Sequence, residues 1–202
     1  MASTVLLLKK MARIILASSS HRRKELLEQV GLKFEIFSPD IDESVCIGES
    51  ADHYVQRLAE QKAQAILAQF PDAIVIAADT SLVLDHKIIG KPESKQHAFE
   101  IWTALSDRQH DVLSGVCLLS SQCDPNTVQS MVVRTQVYFQ KLSQLDMEQY
   151  WATGEPIGKA GAYAIQGYAA QFIQRIEGSY SNVVGLPLYE TLQLLKNIDQ
   201  RK

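Results

Sequence analysis

Six consecutive apolar residues, Ala73-Ile74-Val75-Ile76-Ala77-Ala78, constrain the fold of this 202-residue chain more than any other stretch. A run that is apolar at every position is typical of a central strand buried on both faces of a sheet. Asp79 is the first polar residue after the run, so we expect its carboxylate at the carboxyl end of the strand, where open α/β sheets place their ligands. An aspartate there can bind a divalent metal or accept a proton from water, or it can cap the following turn.

The other hydrophobic patterns alternate between strands and helices. Continuous or period-2 apolar runs predict strands, and apolar residues three and four positions apart predict amphipathic helices. Together they predict one α/β domain over residues 13–202, with a mixed sheet that contains a long antiparallel pair and is flanked by helices. The predicted strands cover 13–17, 34–37, 73–78, 81–84, 112–119 and 128–139, and the predicted helices cover 50–70, 94–105, 143–152 and a last segment from 188.

A polar turn, Ser18-Ser19-Ser20-His21-Arg22-Arg23, links the first predicted strand to a helix. Ser20 is a candidate N-cap, and a helix N-terminus offers free N–H groups and a partial positive charge. Arg22 and Arg23 add two permanent cations, so the turn can hold an anion. A solvated helix start with basic side chains in water explains the same residues.

Further candidates lie on three loops. Glu43, in an acidic loop, can share a metal with Asp79 or can be a solvated acid. Lys91 follows a glycine and precedes a proline, which stiffens the loop; a solvent-facing lysine is the alternative. The segment 158–167 is dense in small residues and carries one cation, Lys159, and one amide, Gln166, that can bind a nucleobase edge. Tight packing also explains such a segment.

Composition excludes several classes of protein. A formal net charge of -3 provides no general attraction to nucleic acids or to anionic membranes. The chain contains neither of the two standard glycine-rich phosphate loops, and its histidines and serines fit no acyl-transfer triad or zinc-protease helix. No apolar run approaches the length that crosses a bilayer.

The cysteines and the N-terminus indicate a cytoplasmic protein. Cys46, Cys117 and Cys123 form no C-x-x-C pair and leave one thiol unpaired, which is typical of reduced thiols. The apolar residues near the start are too few for a signal peptide, and their charges lie on the wrong side. We expect residues 1–12 to be a frayed extension, with Met11 a possible alternative start.

Seven short motifs, in order along the chain, resemble those of the Maf family. This resemblance implies an elongated α/β fold related to the inosine triphosphatases, with an active-site cleft between two lobes. It also implies a nucleoside triphosphate pyrophosphatase that cleaves between the α and β phosphates. The residues after the central strand and around Lys159 resemble the branch that acts on dTTP and UTP. The motifs are Ser18–Leu27, Asp42-Glu43, Arg57–Ala63, Ala78-Asp79-Thr80, Gly90-Lys91-Pro92, Gly158–Tyr163 and Val184–Pro187.

The resemblance implies a role for each matching residue. Asp79 accepts the proton of the attacking water, and Glu43 and Asp79 hold a divalent metal cation, Mg²⁺ or Mn²⁺. Contacts to the triphosphate are implied for Ser18, Arg22, Arg23, Lys62, Lys91 and Lys159, and contacts to the base for Arg22, Thr80 and Gln166. The resemblance further implies a homodimer. His21 stands where the family usually has proline, which loosens the turn but leaves both arginines in register.

Two other functions remain open from the sequence. The same pocket can serve modified nucleotides such as 5-methyl-UTP, pseudo-UTP or 7-methyl-GTP. The branch of the family that acts on 7-methyl-GTP differs, however, in the residues after the central strand and around Lys159. Alternatively, the chain can be a nucleotide-sensing interaction protein that restrains septum formation and cell division.

Overall fold

A mixed β-sheet flanked by helices on both faces forms the part of the chain that the structure describes. The structure is a computed structural model, and it describes residues 13–121 and 129–199. The predicted extension at 1–12, the possible start at Met11 and Cys123 lie outside the described residues. The architecture confirms the predicted α/β class and the mixed sheet.

The elements follow the predicted order closely. The strands are β1 (Ile14–Ala17), β2 (Glu35–Phe37), β3 (Ile74–Leu84), β4 (Lys87–Ile89), β5 (Gln109–Ser120), β6 (Gln129–Phe139) and β7 (Ile173–Glu177). The α-helices are α1 (His21–Gln29), α2 (Ala51–Gln69), α3 (Lys95–Leu105), α4 (Gln144–Ala152), α5 (Tyr180–Val184) and α6 (Leu188–Asp199), with 3₁₀ turns at Ala160–Ala162 and Tyr168–Phe172. The sequence did not predict β4, β7 and α5.

The sheet changes from parallel to antiparallel pairing at β3. Its strand order is β2-β1-β3-β5-β6-β7, and β4 pairs with β3 outside this path. β1 runs parallel to β2 and β3, whereas β5, β6 and β7 pair antiparallel in turn. Among the described helices, none is long and apolar enough to cross a membrane.

Strand β3 is buried on both faces, as the apolar run predicts. Ile74, Ile76 and Ala78 belong to the large core that includes residues of α1, α3 and α6. Val75 and Ala77 face the other way and pack in a second core with residues of α2. Because side chains alternate along a strand, residues 79 and 80 also point to opposite faces.

Asp79 does not end the strand, so the predicted position at a carboxyl end was wrong. β3 continues for five more residues, to Leu84. The ladder with β5 continues through this point, pairing Asp79 with Gly115 and Thr80 with Ser114. A charged residue usually marks the end of a buried strand, but here the charge of Asp79 is compensated by a side chain from another element, as described below.

Among the described strands, pairing on the opposite edge of β3 is interrupted beside Asp79. On that edge β1 pairs with residues 74–76, and β4 pairs with residues 82–84. Within the described chain, no strand pairs with the residues between these two ladders on this edge. The interval leaves a gap beside Asp79 and Thr80. β4 returns through a tight turn at Asp85 and His86, which both have positive φ, 49° and 63°.

Candidate active site

A cleft of about 890 Å³ opens at the gap in the β3 edge. Its volume lies within the range of small-molecule sites. The ten residues that the sequence predicted as a site all line it, although they come from strands, helices and loops far apart in the chain. They are Ser18, Arg22, Arg23, Glu43, Lys62, Asp79, Thr80, Lys91, Lys159 and Gln166. Their individual roles stay predictions.

A buried lysine joins the two acids of the cleft. Lys62 Nζ lies 2.7 Å from Asp79 Oδ1 and 2.7 Å from Glu43 Oε1. Lys62 is 6% exposed and Asp79 is 8% exposed, so the pair lies on the floor of the cleft. The Glu43 side chain is 52% exposed and lies nearer the opening. Alternation along β3 directs Asp79 toward α2, the helix that carries Lys62.

The close approach of α2 to the sheet depends on a glycine. Gly115 pairs with Asp79 across the β3–β5 ladder. A Cβ atom at this position would lie 2.2 Å from the Val55 carbonyl oxygen of α2, which no side chain tolerates. Gly115 therefore sets the depth at which α2, with Lys62, packs over Asp79.

The acidic loop is tied to α2 by two side chains. The Tyr54 hydroxyl donates to the Glu43 carbonyl oxygen at 2.9 Å, and Arg57 donates to the Ser44 carbonyl oxygen at 3.0 Å. Arg57 also forms a bidentate pair with Glu49, at 2.6 and 2.7 Å. These contacts hold Glu43 where it meets Lys62.

Charge and burial shift the pKa values around this loop. The Arg57 hydrogen bonds lower the pKa of Glu49 to about 2. Burial alone would raise the pKa of Glu43, but Lys62, Lys91 and Arg23 bring it below the ordinary value. Burial, with the charges of Asp79 and Glu43, raises the pKa of Tyr54 to about 12.

Tyr54 lines the cleft and was missed as a site residue. Its spacing provided a signal, because Lys62 follows eight residues later, about two helical turns.

The Ser18–Ser20 turn is built differently from the prediction. Ser20 is the N-cap residue of α1, but its side chain makes no capping hydrogen bond. Instead, Ser18 Oγ accepts from the Ser20 N–H at 3.2 Å and from Arg23 at 3.1 Å. The serine that organises the turn is therefore Ser18, because only its hydroxyl lies near both donors.

Arg23 is bonded to neutral groups of the protein. Its guanidinium donates to the Gly185 carbonyl at 2.8 Å and to Thr80 Oγ1 at 3.3 Å, besides Ser18. Thr80 Oγ1 also lies 2.7 Å from Ser114 Oγ, its partner across the sheet. Burial lowers the pKa of Arg23, and the nearby charge of Asp79 opposes that shift. Arg23 thus links three segments of the cleft wall.

The remaining cations leave their charges available to a ligand. Within the described residues, neither the Arg22 nor the Lys91 side chain forms a hydrogen bond or an ion pair; Arg22 is half-buried and Lys91 is exposed. Lys159 Nζ donates to the Glu155 carbonyl oxygen at 2.5 Å. Burial and the charge of Arg22 lower the pKa of Lys159. The cleft holds five cationic side chains, with Glu43 and Asp79 as its central acids and Glu25 and Glu155 also among its lining residues.

Contacts with the Gly90 backbone and with His110 hold the loop that carries Lys159 and Gln166. Gly161 has φ of 68°, and its N–H donates to the Gly90 carbonyl at 3.0 Å, which joins this loop to the Lys91 loop. Tyr163 lies in the cleft wall, and its hydroxyl lies 2.8 Å from Nε2 of the buried His110. Burial lowers the pKa of His110 to about 3, so this imidazole is neutral at pH 7.

The comparison with protein families decides the relationship, because a family model described as Maf-like protein matches residues 13–198. The chain belongs to the Maf family. The match covers nearly the whole described part of the chain and all seven motifs that carry the resemblance.

Named relatives within the Maf family match over nearly their full length. A dTTP/UTP pyrophosphatase of Acinetobacter baylyi is 66% identical over 183 residues, which cover 91% of this chain and 98% of the relative. A dTTP/UTP pyrophosphatase of Vibrio vulnificus is 50% identical, over 92% of this chain and 98% of the relative. A dTTP/UTP pyrophosphatase of a Geobacillus species is 46% identical, over 93% of this chain and 99% of the relative.

The donor set of this Maf cleft fits a hard divalent cation. Glu43 and Asp79 offer carboxylate oxygens close together, and Mg²⁺ is usually bound through one or two carboxylates with substrate phosphates and waters. The described residues include no group of three metal-binding side chains. A cation held by these two acids would therefore take its other ligands from phosphate and water.

Proposed function

We propose that this chain is a nucleoside triphosphate pyrophosphatase that hydrolyses dTTP and UTP to the nucleoside monophosphate and pyrophosphate. One observation carries the proposal. A buried carboxylate, Asp79, lies on the floor of a cleft whose walls supply five cationic side chains. Membership in the Maf family and the names of the relatives support the same activity.

The charges of the cleft match the charges of the reaction. A triphosphate brings several negative charges, and bond cleavage between the α and β phosphates moves further charge onto the leaving pyrophosphate. Arg22 and Lys91 have no competing ion pair in the described chain, so they can bind phosphate oxygens directly. Groups fixed in place before the reaction stabilise developing charge without reorganisation.

We infer that Asp79 acts as the general base. A water molecule adds to the α-phosphorus, and its proton passes to the Asp79 carboxylate. The bond between the α-phosphorus and the oxygen that bridges the α and β phosphates then breaks. The oxygen leaves with pyrophosphate. Lys62 holds the carboxylate in place, since its ammonium contacts Asp79 Oδ1 at 2.7 Å. A bound Mg²⁺ or Mn²⁺, held by Glu43 and Asp79, would neutralise phosphate charge.

Arg23 acts indirectly in this scheme. Three of its five N–H groups are used on Gly185, Ser18 and Thr80, so it orients these groups and adds its charge to the phosphate end. Arg22, Thr80 and Gln166 are the candidates for contacts to the base. We also infer that the protein is a homodimer and that it acts in the cytoplasm. Light scattering of the purified chain tests the oligomeric state.

A panel of nucleotides tests the proposal. Release of pyrophosphate and of inorganic phosphate is measured separately with dTTP, UTP, CTP, GTP, 5-methyl-UTP, pseudo-UTP and 7-methyl-GTP, with and without Mg²⁺. We expect pyrophosphate and monophosphate in equal amounts, fastest with dTTP and UTP. Release of inorganic phosphate, or clear preference for 7-methyl-GTP, would contradict the proposal.

A further inference from the structure

The carboxylate of Glu155 is bonded to the loop that follows it. Its Oε1 accepts from the Tyr150 hydroxyl at 2.7 Å, and its Oε2 accepts from the main-chain N–H of Tyr168 at 2.8 Å. The N–H of Ala169 adds a longer contact at 3.4 Å. The side chain thus joins the end of α4 to the 3₁₀ turn at Tyr168–Phe172.

Gly167 passes against this carboxylate. A Cβ atom at Gly167 would lie 1.8 Å from Glu155 Oε2, so any other residue here would push the carboxylate out of its present position. Gln166, the preceding residue, is exposed and lines the cleft. The position of the Gln166 backbone is therefore set by the contact between its neighbour and Glu155.

We propose that Glu155 is a positioning residue for nucleobase recognition, which holds the Gln166–Gly167 turn so that the Gln166 amide meets the base. The proposal rests on the proposed function above. Because every group that meets the Glu155 side chain is a hydrogen-bond donor, the site requires an acceptor on both oxygens. A glutamine would turn an NH₂ group toward a donor and lose at least one of the bonds.

The hydrogen bonds of this side chain reach none of the residues at the phosphate end of the cleft. Lys159 Nζ is bonded to the main-chain carbonyl oxygen of Glu155, which a side-chain substitution retains, and the Glu155 carboxylate adds a through-space attraction that favours the Lys159 ammonium. Asp79 and Lys62 lie on other elements. A change at the Glu155 carboxylate therefore acts on base binding and selectivity, and leaves the rate of bond cleavage in place.

The test compares Glu155→Gln with Glu148→Gln. Glu148 lies on α4, seven residues before Glu155, is half-buried and pairs with Lys95 at 2.6 Å, so it is a matched control. For Glu155→Gln we expect KM for dTTP and UTP to rise about tenfold, as for the loss of a hydrogen bond to a charged group, with kcat nearly unchanged. The ratio of kcat/KM for dTTP to that for GTP should fall. Glu148→Gln should match the wild type in all three.

A double-mutant cycle tests the contact itself and replaces Glu155→Gln if that variant does not fold. Gly167→Ala should raise KM in the wild-type background, because the new methyl group collides with the carboxylate. With Glu155→Ser the space exists, so adding Gly167→Ala should change KM little further.

Three results would overturn the proposal. They are a wild-type KM in folded Glu155→Gln, a fall in kcat at constant KM, and additive effects in the cycle. If the wild type and Glu148→Gln released no pyrophosphate, the proposed function would fail and this proposal with it. Failure of the proposal alone would leave the turnover of those two proteins intact.

Discussion

Lys62 Nζ lies 2.7 Å from Asp79 Oδ1, and the same ammonium contacts Glu43 Oε1 at 2.7 Å. A single cation from α2 thus contacts a carboxylate inside the central strand and another on the acidic loop. Desolvation of an isolated buried charge is costly, so each member of the group depends on the others. This arrangement lets a charged residue stand within β3 without ending it.

Lys62→Met should destabilise the fold, because it leaves Asp79 buried without its counter-ion. We expect a loss of about 2 kcal/mol in the free energy of unfolding, the cost of an unsatisfied buried acceptor. Asp79→Asn should cost less, since Lys62 keeps Glu43. Denaturant unfolding at pH 7 measures both.

Lys24→Met is the matched control for that measurement. Lys24 pairs with Glu28 one helical turn away on the exposed side of α1, at 3.7 Å, and such pairs contribute little. Equal unfolding free energies for Lys62→Met and Lys24→Met would contradict the role of the buried cation.

Gly115→Ala should force α2 away from the sheet. The added methyl group would meet the Val55 carbonyl, which is backbone and cannot rotate aside. We expect a loss of about 1–3 kcal/mol, as for other overpacked interiors, and a lower turnover because Lys62 moves with the helix. Gly90→Ala, where a Cβ has open space, should retain wild-type stability in the same thermal unfolding experiment. Similar melting temperatures for the two variants would show that α2 does not depend on this contact.

Glu49 should stabilise the acidic loop in a pH-dependent way. The Arg57 hydrogen bonds lower the pKa of Glu49 from 4.5 to about 2, so the folded state holds the charged form more strongly than the unfolded chain does. This contribution is fully present above pH 4.5 and is lost as pH falls through that interval toward about 2.

A comparison of the wild type with Glu49→Gln tests whether this contribution to stability decreases as the pH falls. The stability difference between them, measured by unfolding at successive pH values, should be largest near neutrality and shrink toward pH 2. Glu28→Gln, on an exposed helix face, should run parallel to the wild type. A difference that stays constant through the acid range would contradict the account.

The sequence predicted most of the sheet and ten site residues that all line the cleft, for different reasons, but it missed Tyr54. The apolar run of β3 and the helix starts near residues 50, 94 and 143 are local signals, and the structure confirms them. There Ser50, Ser94 and Ser143 each accept a hydrogen bond from a main-chain N–H of the first helical turn. Local patterns singled out most of the site residues, and the family resemblance added Ser18, Lys62 and Thr80. The resemblance also joined them into one site, since residues as distant as Ser18 and Gln166 meet only through tertiary packing.

What the sequence could not predict depends on partners from other elements. Asp79 looked like the end of a strand because the compensating Lys62 lies seventeen residues earlier, on a helix. The Ser18 hydroxyl organises the turn only because Arg23 reaches it. Tyr54 and Glu155 act through main-chain groups of loops, and loop conformation leaves little trace in hydrophobic periodicity.

Pyrophosphate release from dTTP by Asp79→Asn tests the central claim most directly. Asp85→Asn is the matched control, since it makes the same substitution at the exposed turn that follows β3. If Asp79 is the general base, its variant should remain folded by circular dichroism and lose about 10²- to 10⁴-fold in kcat, while Asp85→Asn keeps the wild-type rate. Near-wild-type release by folded Asp79→Asn would contradict the assignment.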